Sequence, residues 1–154
     1  MGRSLRAELR STRPFHGPEH EAYLAVQRTA DLLYSQLGEL LEPYALTQKG
    51  YNVLRILRGA GEAGLTANEI ATRMVNVETD IEALLVNLRV GGLAAAGGHD
   101  SAADLTWRIT ECGRDLIDPL DEPVHTLHVK QFRHLSEATL RLLIGLLQDV
   151  RDQS

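Results

Sequence analysis

Three histidines lie close together in the C-terminal part of the sequence, and imidazole groups can bind metal ions or transfer protons. His125 and His128 have the i, i+3 spacing that brings two side chains together on one helix face. His134 lies further along, beyond a predicted turn. Because a zinc site needs three or four ligands, two neighbouring imidazoles are too few to hold the ion. The cluster therefore predicts structural or solvated histidines, with no metal site and no cofactor.

The single cysteine, Cys112, is a candidate redox sensor. A sensor thiol needs exposure and neighbouring positive charge, which favours the thiolate. Arg114 supplies a positive charge, but Glu111 supplies a negative one. No second cysteine is present to resolve a sulfenic acid or to form an intramolecular disulfide. We therefore predict that Cys112 is a buried or bystander cysteine.

No sequence motif indicates an enzyme. A glycine loop that could cradle phosphate, a nucleophile elbow and a paired-cysteine metal motif are all missing from the sequence. If the winged-helix outline described below binds DNA, its polar and basic side chains are the candidates for contact with base edges and phosphates. The candidate DNA-contacting residues are Arg73, Asn76, Thr79, Asn87, Arg89, His99 and Arg108.

The helix predicted after residue 79 also carries features that oppose DNA binding. Glu78, Asp80 and Glu82 suit the positive end of the helix dipole, but they would face phosphates in a DNA groove. Acidic residues outnumber basic ones between residues 65 and 110. Val86 and Val90 lie one helical turn apart on the outward side. They could contact thymine methyl groups or another protein.

Two short helices are predicted to position these residues. Thr66 and Glu69 have the spacing of a capping box, as do Thr79 and Glu82. Leu65, Ile70 and Met74 give the first helix an apolar face, and the buried stripe of the second comprises Ile81, Leu84, Leu85 and Leu88. Gly91-Gly92 is predicted to end the second helix in the left-handed conformation. A glycine-broken hairpin with a strand over residues 105–109 follows, which completes the outline of a winged helix-turn-helix with a two-stranded wing.

Further helices are predicted on both sides of this segment. A long helix runs from about Pro18 to Leu41 and is stopped by Pro43. Thr47 caps the next helix, and Thr110 begins another that should kink or break at Pro119 and Pro123. Ser136 caps a last helix that is leucine-rich on more than one face, so it requires a partner to bury it. The apolar stripe of the long helix comprises Tyr23, Val26, Ala30, Leu33, Leu37 and Leu40. The helix after Thr47 buries Val53, Leu54 and Leu57, and the following loop contains Gly59, Gly61 and Gly64.

Composition and charge are those of an ordinary globular chain. Its 154 residues suit one domain with helical extensions, and its hydrophobic content is 44%. A formal net charge of −5 argues against non-specific nucleic-acid binding, although a basic face can exist on an acidic chain. No apolar run is long enough to span a bilayer, and no signal-peptide core is visible. A cytoplasmic protein without membrane contact is expected.

The N-terminal segment is basic and contains helix-breaking residues. Pro14, Gly17 and Pro18 interrupt any continuous helix there. One interpretation is a solvated tail, and the other is an arm that touches the DNA backbone or minor groove. Its arginines are Arg3, Arg6, Arg10 and Arg13.

The order of these motifs resembles the MarR family of bacterial transcription regulators from about Tyr23 to the C-terminus. The resemblance rests on residues whose order and spacing are specific only together. They are Leu46-Thr47, Tyr51 to Leu57, Leu65-Thr66, Glu69-Ile70-Ala71, Leu84-Leu85, Leu88, Gly92-Leu93, Ile109-Thr110-Glu111 and Gly113. The sequence departs from the family at the wing tip, where the family has Asp-x-Arg and this chain has Asp100-Ser101-Ala102.

The resemblance implies a mainly α fold with a small β wing. A winged helix-turn-helix domain at about 44–110 would be joined to dimerisation helices at about 18–42 and 111–153, within one domain of residues 18–154 preceded by a basic flexible arm, 1–17. It also implies a homodimer on a double-stranded DNA operator, with a small aromatic ligand between the winged domain and the dimer helices. The alternative is a winged-helix protein that has lost direct DNA binding and binds a protein or ligand instead.

Overall fold

The structure, a computed structural model, describes residues 4–76, 80–98 and 105–152. The chain forms two compact units, Met1–Glu39 and Leu40–Ser154. The α-helices are α1 (Leu5–Glu8), α2 (Pro18–Leu41), α3 (Gln48–Ala60), α4 (Ala67–Arg73), α5 (Ile81–Val90), α6 (Glu111–Ile117), α7 (Asp121–Phe132) and α8 (Glu137–Asp152). The strands are β1 (Leu65–Thr66), β2 (Ala94–Gly97) and β3 (Thr106–Ile109), and short 3-10 helices lie at Glu42–Tyr44, Gly61–Ala63 and Asp118–Leu120. The predicted fold class, mainly α with a small β wing, is confirmed.

The N-terminal unit contains a basic segment and most of the long helix. Ser4 caps α1, where its hydroxyl accepts the Ala7 N–H. The guanidinium of Arg6 donates to the Ser11 and Thr12 carbonyls, while Arg10 and Arg13 are exposed. Helix α2 has the predicted bounds, but its only buried residue is Leu41. Nearly the whole length of this helix therefore lacks a buried face within one chain.

The core of the second unit is built around α3. Thr47 caps this helix as predicted, because its hydroxyl accepts the Gly50 N–H at 3.0 Å. Val53, Leu54 and Leu57 are completely buried, which confirms the predicted inward face. The prediction that Gly59 belongs to the following loop is wrong, because Gly59 lies in α3. Of the three glycines predicted for that loop, Gly61 and Gly64 have a positive φ. Among the described residues, the other fully buried large side chains are Trp107, Leu41, Ile70, Leu85, Ile117 and Leu120.

The wing contains one more strand than the sequence indicated. The sheet has the order β1-β3-β2, with both pairings antiparallel, and Trp107 of β3 is paired with Leu65 on one side and Ala96 on the other. The prediction that Leu65 belongs to the first helix is wrong. Strand β1 has only two residues, which is too short to show an alternating pattern. Thr66 is extended because it also caps α4.

A close corner joins the wing to α6. Thr110 caps α6 through the Gly113 N–H at 3.0 Å, and its own hydroxyl donates to the Gly92 carbonyl at 2.6 Å. The Thr110 N–H also donates to the Leu93 carbonyl at 3.1 Å. A Cβ on Gly113 would collide with the Leu93 carbonyl oxygen and would lie 2.8 Å from Cγ1 of Ile109. Glycine is therefore required where α6 crosses the chain that leaves α5.

The predicted helix break is confirmed at Pro119 but does not occur at Pro123. Helix α6 ends before a 3-10 turn that contains Pro119, whereas Pro123 lies in the first turn of α7, where a missing N–H is tolerated. The guanidinium of Arg58 donates to Asp118 at 2.7 Å and to Asp121 at 2.8 Å. These hydrogen bonds raise the pKa of Arg58 and lower that of Asp121. This ion-pair cluster holds the break against α3.

The last helix is apolar on two faces, as the sequence predicts. Ser136 begins it by accepting the Thr139 N–H. Leu140, Leu143 and Leu147 are half-buried. The exposed large side chains of α8 are Leu142, Ile144, Leu146 and Val150, each more than half accessible. Within the described parts of the chain, no helix combines the length and the hydropathy needed to cross a membrane.

We predict that Gly113→Ala lowers the free energy of unfolding by about 1–3 kcal/mol, the usual cost of overpacking. The reason is that the added methyl group meets backbone at Leu93, which cannot move aside as a flexible side chain can. The matched control is Gly59→Ala, since nothing lies within 4 Å of a Cβ there. In this control the free energy of unfolding should rise by about 0.5–1 kcal/mol, because alanine favours the helix over glycine. Urea denaturation measures both, and equal effects at the two glycines would contradict the prediction.

Candidate nucleic-acid interface

The two helices of the helix-turn-helix are fixed by local hydrogen bonds. The capping box of α4 is confirmed: the Thr66 N–H donates to the Glu69 carboxylate at 2.8 Å, and the Glu69 N–H donates to the Thr66 hydroxyl at 3.3 Å. The bonds from Thr66 lower the pKa of Glu69. Ile70 is completely buried, and α4 packs against both α3 and α5. The first helix is therefore a rigid support for the second.

The turn between α4 and α5 is anchored to α3 by Asn52. The Val75 N–H donates to Oδ1 of Asn52 at 3.1 Å. Asn76, the next residue, is exposed. Asn52 belongs to the residues of the family resemblance, and no role was predicted for it. Its partner lies 23 residues away, so no local pattern could reveal the contact.

Helix α5 begins one residue later than predicted. Its cap is Asp80, whose carboxylate accepts the Ala83 N–H at 3.0 Å. The predicted capping box of Thr79 and Glu82 depends on Thr79, so only the cap at Asp80 can be compared with it. Aspartate caps a helix as well as threonine does, and its negative charge also suits the helix dipole. Thr79 itself lies outside the described residues.

The C-terminal end of α5 is closed by a Schellman motif. The Gly92 N–H donates to the Arg89 carbonyl, and the Leu93 N–H donates to the Leu88 carbonyl, both at 2.9 Å. Gly92 adopts φ +72°, as a glycine in this motif does, whereas the Gly91 part of the prediction is wrong because Gly91 stays right-handed. The helix end is thereby directed into β2.

The outward face of α5 has an apolar centre. Leu85 and Leu88 are buried as predicted, while Ile81 and Leu84 are only partly covered. Val86 is 40% exposed and Val90 is 81% exposed. The other exposed residues of this helix are Glu82, Ala83, Asn87 and Arg89.

Two of the predicted arginines point to opposite faces of the wing. The Arg89 guanidinium carbon lies 5.9 Å from the ring centroid of Trp107, a cation–π arrangement with a buried ring. Arg108 follows Trp107 in β3, so alternation directs its side chain to the other face. There its Cγ lies over Gly64, 2.9 Å from where a Cβ would be. The structure does not bring Arg89 and Arg108 together.

The remaining described candidates for DNA contact lie on three different elements. Arg73 is exposed at the end of α4, Asn76 is exposed in the turn, and Asn87 is exposed on the outward face of α5. His99 and the wing tip with Asp100-Ser101-Ala102 lie outside the described residues, as does Arg3 of the N-terminal segment. The roles of these residues in DNA binding therefore remain predictions.

The cysteine and histidine candidates described here lie on α6 and α7, after the wing in the sequence. Cys112 is exposed in the first turn of α6, so the buried alternative of the predicted buried or bystander cysteine is wrong, and a bystander cysteine stays a prediction. An exposed position arises there because Gly113, the next residue, takes the buried side of the helix. His125 and His128 are exposed on α7, and Nδ1 of His128 lies 3.0 Å from Oε1 of Gln131.

These features define a winged helix-turn-helix protein: α4 supports α5, and a sheet that includes β2 and β3 follows directly. No protein-family model matches the sequence, and no curated protein is similar to it. Solved structures are more informative. A MarR transcription factor from Planctomyces limnophilus is 30% identical, with a TM-score of 0.66, and the match covers 88% of this chain and 98% of that one. This chain belongs to the MarR family of transcription regulators.

Two more distant structures share the fold. The MepR–DNA complex of S. aureus contains a chain with 19% identity and a TM-score of 0.77, and the match covers 86% of this chain and 97% of that one. Bordetella bronchiseptica BpsR, whose DNA binding is regulated by 6-hydroxynicotinic acid, has 15% identity and a TM-score of 0.76. That match covers 85% of this chain and 98% of BpsR.

We predict that Glu69→Gln destabilises the protein at neutral pH, and that the difference disappears in acid. The pKa of Glu69 is lowered in the folded state, so its carboxylate stabilises the fold above the ordinary glutamate pKa. That stabilisation is lost as the pH falls through the lowered value. Thermal unfolding of both proteins from neutral to acidic pH measures the effect, and a difference independent of pH would contradict it. Glu62→Gln, at an exposed glutamate outside the capping box, is the control.

Proposed function

We propose that this protein is a homodimeric transcription regulator that binds a pseudo-palindromic operator in double-stranded DNA, with one α5 helix in each half-site. The observation that carries the proposal is the way α5 is held. Its outward face is exposed, while its two ends are hydrogen-bonded through Asp80 and through Gly92, and the preceding turn is bonded to Asn52. A rigid, exposed second helix is what a helix-turn-helix protein inserts into the major groove.

Family membership and the MepR–DNA complex support DNA as the partner. The charge of the surface suggests a modest affinity, because α5 carries Glu82 on its exposed side and its one arginine lies against Trp107. Phosphate contacts must then come from outside α5. The candidates are Arg73, Arg108 and the arginines of the N-terminal arm, residues 1–17.

Exposed apolar residues support the homodimer. Leu142, Leu146 and Val150 lie on one side of α8, and Tyr23 and Val26 are exposed on α2. A patch of this kind in water favours association, because each buried leucine contributes roughly 1.5–3 kcal/mol. We therefore assign α2 and the helices after residue 110 to dimerisation and residues 44–110 to DNA binding.

The proposal includes control by a small aromatic ligand and a cytoplasmic, non-enzymatic role. The regulation of BpsR by 6-hydroxynicotinic acid supports ligand control in this fold. A location beside the chromosome follows from operator binding. Titration of this protein with 6-hydroxynicotinic acid and related aromatic acids, followed by thermal unfolding, would identify a ligand by the rise in midpoint that binding causes.

A second candidate function is a winged-helix module that binds another protein and not DNA. The observation that favours it is an exposed set of valines beside a carboxylate on the surface expected to face DNA: Val75, Val86 and Val90 with Glu82. A mobility-shift titration against DNA flanking the gene distinguishes the two candidates. Absence of any specific complex at low salt would favour the protein-binding module.

We predict that the arm supplies much of the salt dependence of DNA binding. Each phosphate contact adds about 0.9 to the slope of log affinity against log salt. Replacing Arg3, Arg6, Arg10 and Arg13 by glutamine should flatten that slope by about 1 to 3. The matched control replaces the same residues by lysine, which keeps the charge and should keep the slope. Nanomolar binding in physiological salt that is unaffected by the glutamine variant would contradict the prediction.

We predict that Leu142→Glu with Leu146→Glu converts the dimer into monomers. Both side chains are more than half exposed in one chain, so the change should disturb association and not folding. Light scattering should give twice the chain mass of 17.0 kDa for the wild type and a value near 17.0 kDa for the variant. Gln148→Glu, on the same helix, is the control for added charge. A wild-type protein that is already monomeric at micromolar concentration would refute the homodimer.

A further inference from the structure

The exposed face of α5 contains side chains that match one kind of base pair. We infer that α5 reads an A·T-containing half-site, with Ala83 and Val86 in contact with thymine methyl groups. The inference rests on the proposed DNA binding and adds the chemistry that α5 recognises. It depends on which side chains occupy the centre and the edges of the exposed face.

Successive residues of an α-helix are separated by about 100° around the axis. Opposite the covered stripe of Ile81, Leu84, Leu85 and Leu88, this spacing places Ala83, Val86 and Val90 at the centre of the exposed face. Glu82 lies toward one edge of that face and Asn87 toward the other. The centre is therefore apolar, and its flanks are polar.

The chemistry of the major groove decides what such a face can recognise. Thymine is the only DNA base with a methyl group in the groove, and small apolar side chains contact it. Asparagine forms two hydrogen bonds with the N6 and N7 edge of adenine, and a carboxylate accepts only from base amino groups. Ala83, Val86 and Asn87 thus suit the thymine methyl group or the adenine edge, whereas Glu82 can accept from the amino group of adenine or of cytosine and does not distinguish the two.

The same face is unsuited to guanine. Guanine offers only acceptors in the major groove, N7 and O6, which are normally bound by arginine or lysine. The one arginine of α5 is Arg89, and its guanidinium lies over Trp107. Glu82 would repel the guanine acceptors. The apolar centre, Asn87 and the placement of Arg89 over Trp107 therefore favour A·T over G·C opposite this helix.

Position along the helix selects Ala83 and Val86 over Val90. The N-terminal residues of a recognition helix contact base edges, and the helix then rises out of the groove. Ala83 and Val86 lie in the first two turns, whereas Val90 is the last residue of α5. The greater exposure of Val90 is consistent with a position at the groove margin.

The test begins with selection of duplexes from a random pool by the full-length protein. The enriched half-sites should contain adjacent A·T pairs. Each thymine is then replaced by deoxyuridine, which removes only the methyl group. At one or two positions per half-site, the wild-type affinity should fall about fourfold, the value of one buried methyl group. Val86→Ala should bind more weakly and lose the preference for thymine at one of these positions.

The matched control is Val90→Ala, at the exposed valine that lies at the groove margin, which should keep the full preference for thymine. The deoxyuridine measurement uses wild-type protein, so it does not depend on the folding of any variant. Enrichment of duplexes whose binding is insensitive to methyl removal, or enrichment of guanine-rich half-sites, would overturn the inference and leave the proposed function intact. Failure to enrich any duplex would overturn both.

Discussion

The corner where α6 crosses the chain leaving α5 is the constraint on which the position of α5, the helix proposed to read DNA, depends. Thr110 bonds to both Gly92 and Leu93, and Gly113 leaves no space for a side chain against Leu93. This corner fixes the C-terminal end of α5 and the start of β2 at once. The α6 helix then continues through Ile117 to the turn held by Arg58. A substitution that displaces α6 at Gly113 would therefore move α5 and the wing together.

The residues that hold the interface are different from those that would contact DNA. Asn52, Thr66, Asp80 and Thr110 satisfy backbone groups at the ends of helices and turns, and Ile70 and Leu85 fill the core beneath them. The outward side chains of α5 make none of these bonds. Because the support does not involve them, substitutions on the outward face can change base preference with little effect on stability.

Local rules predicted much of the fold. Helix α2 has the predicted bounds, and the caps at Thr47, Thr66, Thr110 and Ser136 follow from short-range hydrogen bonding. The errors in secondary structure arise mainly where contacts between residues distant in sequence determine the conformation. Leu65 joins a sheet because β3 lies beside it. Helix α5 is capped by Asp80, one residue after the predicted cap, because several residue types suit a cap position. The candidate site was less predictable: composition revealed the acidic helix, but only the structure places Arg89 on Trp107 and Arg108 on the opposite face.

The contact between Arg89 and Trp107 also gives the protein an internal optical signal. Trp107 is the single tryptophan of the sequence, and its ring, in β3 of the wing, is buried with Arg89 of α5 over it. Indole emission depends on nearby charge and on solvent access. Movement of Arg89 toward a phosphate would remove a cation from the ring. The fluorescence of the unlabelled protein should therefore report the geometry between α5 and the wing, at a position that no other tryptophan obscures.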